Sequence, residues 1–127
     1  MAKHEFVDVP EHLAAKVRAI CDALPETLGQ STRRGLRWRV RGGTFADLVS
    51  VVRGDRVLTT VTVHARGADL DALLHVGHPF YEGWGGGLIA VVLDDDTDWD
   101  EVREVLEDSY CVLAPQKLQR LVRGSEI

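Results

Sequence analysis

The sequence predicts an α+β fold, a two-layer α/β sandwich with helices packed on one face of an antiparallel sheet. Three observations point to it. Residues 37–64 hold three strand-like runs joined by the turn signals Gly42-Gly43 and Gly54-Asp55. Helical periodicity brackets that meander, from Leu13 to Leu24 before it and from Trp99 to Leu113 after it. Between them, Leu88–Leu93 is a continuous apolar run that suits an interior strand and is far too short to span a membrane. The 127 residues, 45% hydrophobic and 28% charged, read as one globular domain covering 1–127.

In chain order, Pro10 opens the first helix at its first helical position, where the missing amide hydrogen costs nothing. Leu13, Ala14, Val17, Ile20, Cys21 and Leu24 then mark one buried face, and Pro25 ends the helix. A polar loop from Glu26 to Gly35 leaves room for a short strand near Leu28. Arg37-Trp38-Arg39-Val40-Arg41 alternates with period two, sending Trp38 and Val40 inward and three arginines outward. Thr44–Arg53 is the second strand. On the third, Val57, Thr59, Val61 and Val63 share one face. Ala68–His75 reads as a short helix, followed by a loop through His78-Pro79 and the glycines around Trp84. Thr97 or Asp98 caps the last long helix, with Asp100 and Glu101 favoured by the dipole at its start. Trp99, Val102, Leu106, Tyr110 and Leu113 form its apolar face. Pro115 turns the chain into a short closing helix with Leu118, Leu121 and Val122 on its inner side.

Charge is the main functional clue. The net charge is −5, yet Arg33, Arg34, Arg37, Arg39, Arg41, Arg53 and Arg56 face only Asp47 and Asp55 within their segment. From Asp94 to Asp108 the balance reverses, with nine carboxylates against Arg103. A basic face and an acidic face on one domain suit an anionic partner or a second protein. Arg37, Arg39 and Arg41 would stand about 6.6 Å apart, a row fitted to a phosphate backbone. The bland alternative is that they pair with carboxylates of this protein or of another copy. No aromatic is expected on that face, so base stacking is not anticipated.

Other chemistry is thinly represented. Ser31, Ser50, Ser109 and Ser125 lie in no nucleophile motif, and His64 reads as a sheet-surface residue. His75 and His78 lack a third ligand fixed by spacing. The glycine run lacks the Lys-Ser/Thr ending of a phosphate loop. The expectation is a protein without catalytic residues, resident metal or cofactor. Cys21 and Cys111 read as reduced thiols, and no leader-like or membrane-spanning segment is visible, so a cytoplasmic location and a monomer are expected.

Several stretches carry a resemblance. Leu24-Pro25-Glu26, Val40-Arg41-Gly42-Gly43-Thr44-Phe45-Ala46 and Gly77-His78-Pro79-Phe80 are three of them. The most specific are Asp98-Trp99-Asp100-Glu101-Val102, Glu107-Asp108-Ser109-Tyr110 and Ala114-Pro115-Gln116-Lys117-Leu118. Together, across roughly Ala14 to Leu121, they resemble the bacterial MmcQ/YjbR family, whose fold is CyaY-like (frataxin-like) and whose members are commonly labelled DNA-binding. The chain departs from the pattern at Gly43 and Gln116, where Lys is common. The resemblance implies DNA binding, and the arginine row makes the expectation weak and sequence-unspecific, with Arg33, Arg34, Arg37, Arg39, Arg41, Lys117 and Arg120 as candidate residues. Two alternatives stay open: a protein-interaction or assembly module using the opposed faces, and frataxin-like cation binding at Asp94-Asp95-Asp96.

Overall fold

A computed structural model describes residues 5–83 and 85–124; Trp84 and Ser125 lie outside the described residues. The chain forms an α+β sandwich. Strand β1 (Phe6–Val7) leads into α1 (Glu11–Cys21), then β2 (Thr27–Ser31), β3 (Gly35–Val40), β4 (Gly43–Arg53) and β5 (Arg56–His64). Next come α2 (Gly67–Val76), β6 (Phe80–Glu82), β7 (Leu88–Leu93), α3 (Trp99–Leu113) and α4 (Gln116–Arg123). The sheet runs β2-β3-β4-β5-β7-β6 with every pairing antiparallel, and β1 joins β4 at Phe6↔Val51.

One layer of helices covers one face. Val17, Trp38, Phe45, Leu48, Val61, Ile89, Val91, Leu106 and Tyr110 make up the centre of the core. Each such fully buried large side chain stabilises by roughly 1.5–3 kcal/mol. In α3 the anticipated stripe is broader than drawn from spacing, because Val105 and Ser109 are buried beside Val102, Leu106 and Tyr110. Trp99 and Leu113 pack against the core only half-buried. Asp98 is the cap, its carboxylate accepting from the amides of Asp100 and Glu101 at 3.1 and 3.2 Å.

Several local expectations need correction. Pro10 is the capping residue and not the first helical one, and α1 stops at Cys21, before Pro25. There the Leu24 amide donates to the Cys21 carbonyl at 3.1 Å, and the Thr27 hydroxyl, 3.1 and 3.0 Å from the carbonyls of Cys21 and Leu24, helps satisfy the helix end. The hairpin turn is Arg41-Gly42, with φ of 50° and 83°, and Gly43 already belongs to β4. That turn removes Arg41 from the strand on which alternation had placed it. Phe80–Glu82, read from its glycine surroundings as loop, is a strand because β7 supplies its partners.

A bulge decides the packing at the top of β4. Trp38 pairs with Ala46 and Arg39 with Thr44, so Phe45 is the extra residue and both Phe45 and Ala46 point into the core. The Phe45 ring meets Tyr110 edge-on, with centroids 5.4 Å apart. Trp38 fills the space over Gly29 and donates its indole hydrogen to Asp22 at 2.9 Å. Burial, with Asp22 beside it, pushes the Cys21 thiol up, so it stays protonated and inert.

Candidate functional site

The helices leave the other face of the sheet bare. Because Trp38 and Val40 turn towards the helices, Arg37 and Arg39 stand on that open face. The register sets their neighbours: Gln30 and Asp47 flank Arg37, and Leu28 and Thr44 flank Arg39. Further along, Val49 and Thr60, then Val51 and Leu58, continue the face as a mainly apolar band.

Among the described residues neither guanidinium has a carboxylate within ion-pair distance. The ion pairs among the described residues join Arg18 to Glu11, Arg41 to Glu26, and Arg123 to Asp108, and His12 lies 3.4 Å from Asp95. Arg39 donates to the Gly42 carbonyl at 2.6 Å, which aims it along the hairpin without cancelling its charge. The Nε atoms of Arg37 and Arg39 are buried and have no acceptor. Asp47, the carboxylate nearest in register, is half-buried. Desolvation raises its pKa, and the opposing fields of Arg37 and Arg34 lower it.

The other candidates divide. Arg33 and Arg34 form the β2–β3 turn, held by the Thr32 hydroxyl accepting from the amides of Arg34 and Gly35 at 3.2 and 3.1 Å. Arg34 lies over the Phe6 ring, 5.2 Å from its centroid. Arg41 leaves the row, its Nε donating to Glu26 at 2.9 Å. Lys117 and Arg120 are exposed on α4, which packs against α3 in the helical layer, away from Arg37 and Arg39.

Two arginines counted in the basic segment were left out of the candidate set. Arg53 and Arg56 face each other across the β4–β5 hairpin and are exposed. Alternation from Asp47 through Val49 and Val51 puts them on the same open face, at its far end. Carrying that alternation through the two-residue turn is the signal that would have found them. Two aromatics were missed as well: Phe6 and the 47% exposed Tyr81 lie along this face, Tyr81 with its hydroxyl 2.8 Å from His78 Nδ1.

Part of the acidic cluster lies in the helical layer, while Asp47 and Asp94 border the open face. Asp100, Glu101 and Glu104 are exposed on α3, beyond its buried face. In the Asp94 turn, the carboxylate of Asp94 accepts from the Asp96 amide at 2.8 Å, so backbone donors already use it. Among the described residues no three His, Cys, Asp or Glu side chains converge as metal ligands. Ser109 and Ser50, the buried serines, are occupied by Phe45 and His64 backbone groups and by Thr59. No helix among the described residues is long and apolar enough to cross a membrane. No protein-family model, curated protein or solved structure matches the chain.

Proposed function

We propose that the open sheet face binds the phosphate backbone of DNA, weakly and without sequence preference. Arg37 and Arg39 hold one end of it, and Arg33, Arg34 and then Arg53 and Arg56 follow towards the other end. The observation that carries the reading is that, among the described residues, no carboxylate forms an ion pair with Arg37 or Arg39, although Arg18, Arg41 and Arg123 each have one. Unneutralised guanidinium groups on a flat face contact phosphates regardless of base identity. The MmcQ/YjbR resemblance agrees with this reading. The acidic helical layer keeps the affinity low by opposing the approach of a polyanion and orients the domain with its sheet towards it.

Fluorescence anisotropy on a random duplex, at low and at physiological salt, tests the reading. With about four or five phosphates neutralised, log affinity should fall against log salt with a slope near −4. Reversing Arg37 and Arg39 to Glu should abolish binding while the circular dichroism spectrum stays native. Absent low-salt binding, or binding that survives the reversal, overturns it.

A second reading, docking of an acidic protein surface, is favoured by the apolar band of Val49, Val51 and Leu58 beside the arginines. It would give a contact that persists at salt concentrations sufficient to release DNA.

A further inference from the structure

The sheet ends on one side at β2, and among the described residues no strand lies beyond it. Exposed edges of this kind are normally blunted by charge, proline or a covering element, because their free backbone groups pair with other chains. Here none of those devices is present within the strand. Thr27-Leu28-Gly29-Gln30-Ser31 carries no charge and no proline, and residues 28–31 are all exposed, Leu28 to 56%. The opposite edge, β6, is only three residues long, contains Glu82 and has α2 packed beside it.

The backbone of β2 is set for pairing. Thr32 donates its amide to Gly35 at 2.8 Å within the hairpin, so hydrogen bonding to β3 falls on Thr32, Gln30 and Leu28 by alternation. The amides and carbonyls of Gly29 and Ser31 therefore point away from the sheet. Gly29 has no side chain because Trp38 occupies the place of its Cβ, which also lets another backbone come close.

We infer that β2 is a self-association edge, where two copies of this chain pair antiparallel about a two-fold axis at Gly29. The sequence of the strand suits this occupant. Gly29 lies opposite its own copy, Thr27 opposite Ser31, and Leu28 opposite Gln30, with no like charges in contact. At the strand ends, the Glu26 carboxylate of one copy, which also holds Arg41, comes beside the Arg33 turn of the other, so acidic faces basic there and the two-fold repeats the contact. Such an axis stands perpendicular to the sheet, so the two open faces become one surface. The Arg37–Arg39 pairs of the two copies would then lie three strand spacings apart, about 14 Å. The pairing itself does not rest on the DNA-binding reading, and its test involves no nucleic acid.

Sedimentation velocity on the full chain, from micromolar to millimolar concentration, measures the association. Wild type should pass from monomer to dimer. The double variant Leu28→Lys, Gln30→Lys places lysine opposite lysine twice and should weaken association about tenfold or more. The variant Leu28→Lys, Gln30→Glu places opposite charges in the same positions and should restore it. Both changes are at exposed side chains, and a circular dichroism melt verifies that each variant is folded. A chain that stays monomeric throughout, as it would if the edge takes a strand from a different protein, overturns the inference. So does a dimer insensitive to the lysine pair, or one that the charge swap fails to recover.

Discussion

The Ser109 hydroxyl donates to the Phe45 carbonyl at 2.6 Å across 64 positions of chain, and accepts from the His64 amide at 2.8 Å. It thus bridges the two backbone groups that the bulge at Phe45 separates, one on β4 and one on β5. Next to it, the Tyr110 hydroxyl donates to the Pro25 carbonyl at 2.6 Å. The Ser109-Tyr110 pair therefore ties α3 to the sheet and to the end of α1, which gives that motif a structural role. Ser109→Ala would leave a buried carbonyl and amide without partners, at about 1–3 kcal/mol for an unsatisfied group. Urea denaturation should show a loss of about 2–4 kcal/mol, with the native spectrum retained. An unchanged midpoint would show that the bridge contributes nothing.

Asp47 should oppose both stability and anion binding. Its folded pKa lies above the unfolded value, chiefly through desolvation, so the folded state holds the proton more tightly. The penalty is fully present above the folded pKa and is relieved as pH falls through it towards the unfolded one. Asp47→Asn removes the ionisation altogether. That variant should be more stable at neutral pH, gain less on mild acidification, and bind duplex DNA more tightly at low salt. Equal stability at neutral pH, measured by denaturant titration, would contradict the burial of the charge.

Individual arginines should separate by location. Arg37→Ala and Arg39→Ala should each reduce the salt slope of duplex binding by about 1. Arg41→Ala, Lys117→Ala and Arg120→Ala should leave the slope unchanged, since Glu26 holds the first and the helical layer carries the other two. A larger effect at Lys117 than at Arg37 would move the interface off the sheet.

The tryptophans should also differ. Trp38 is 2% exposed and hydrogen-bonded, so Trp38→Ala is expected to cost about 3–5 kcal/mol. Trp99 sits at the first turn of α3 and is half-buried, so Trp99→Ala should cost roughly 1–2 kcal/mol. Thermal melts of the two variants compare them directly, and equal losses would mean that Trp99 is buried as deeply as Trp38.

The hydrophobic periodicity of residues 13–24 and 99–113, the alternation of 57–64 and the glycine turns were enough to determine an α+β sandwich. These signals are local, and burial of one face imposes them residue by residue. The sequence likewise determined that Arg37 and Arg39 oppose Trp38 and Val40, since alternation within one strand needs no knowledge of its neighbours. Tertiary structure decided the rest. Strand β6 exists because β7 lies beside it, and β1 because β4 extends past the end of β3. The bulge at Phe45 follows from packing against Tyr110, which is 65 positions away. Whether an arginine is paired depends on which carboxylate the fold brings within contact, as Glu26 is brought to Arg41, whereas Asp47 is brought beside Arg37 without forming an ion pair among the described residues. Ion pairing is a matter of distance in space, and the order of residues along the chain does not set that distance until the sheet has closed.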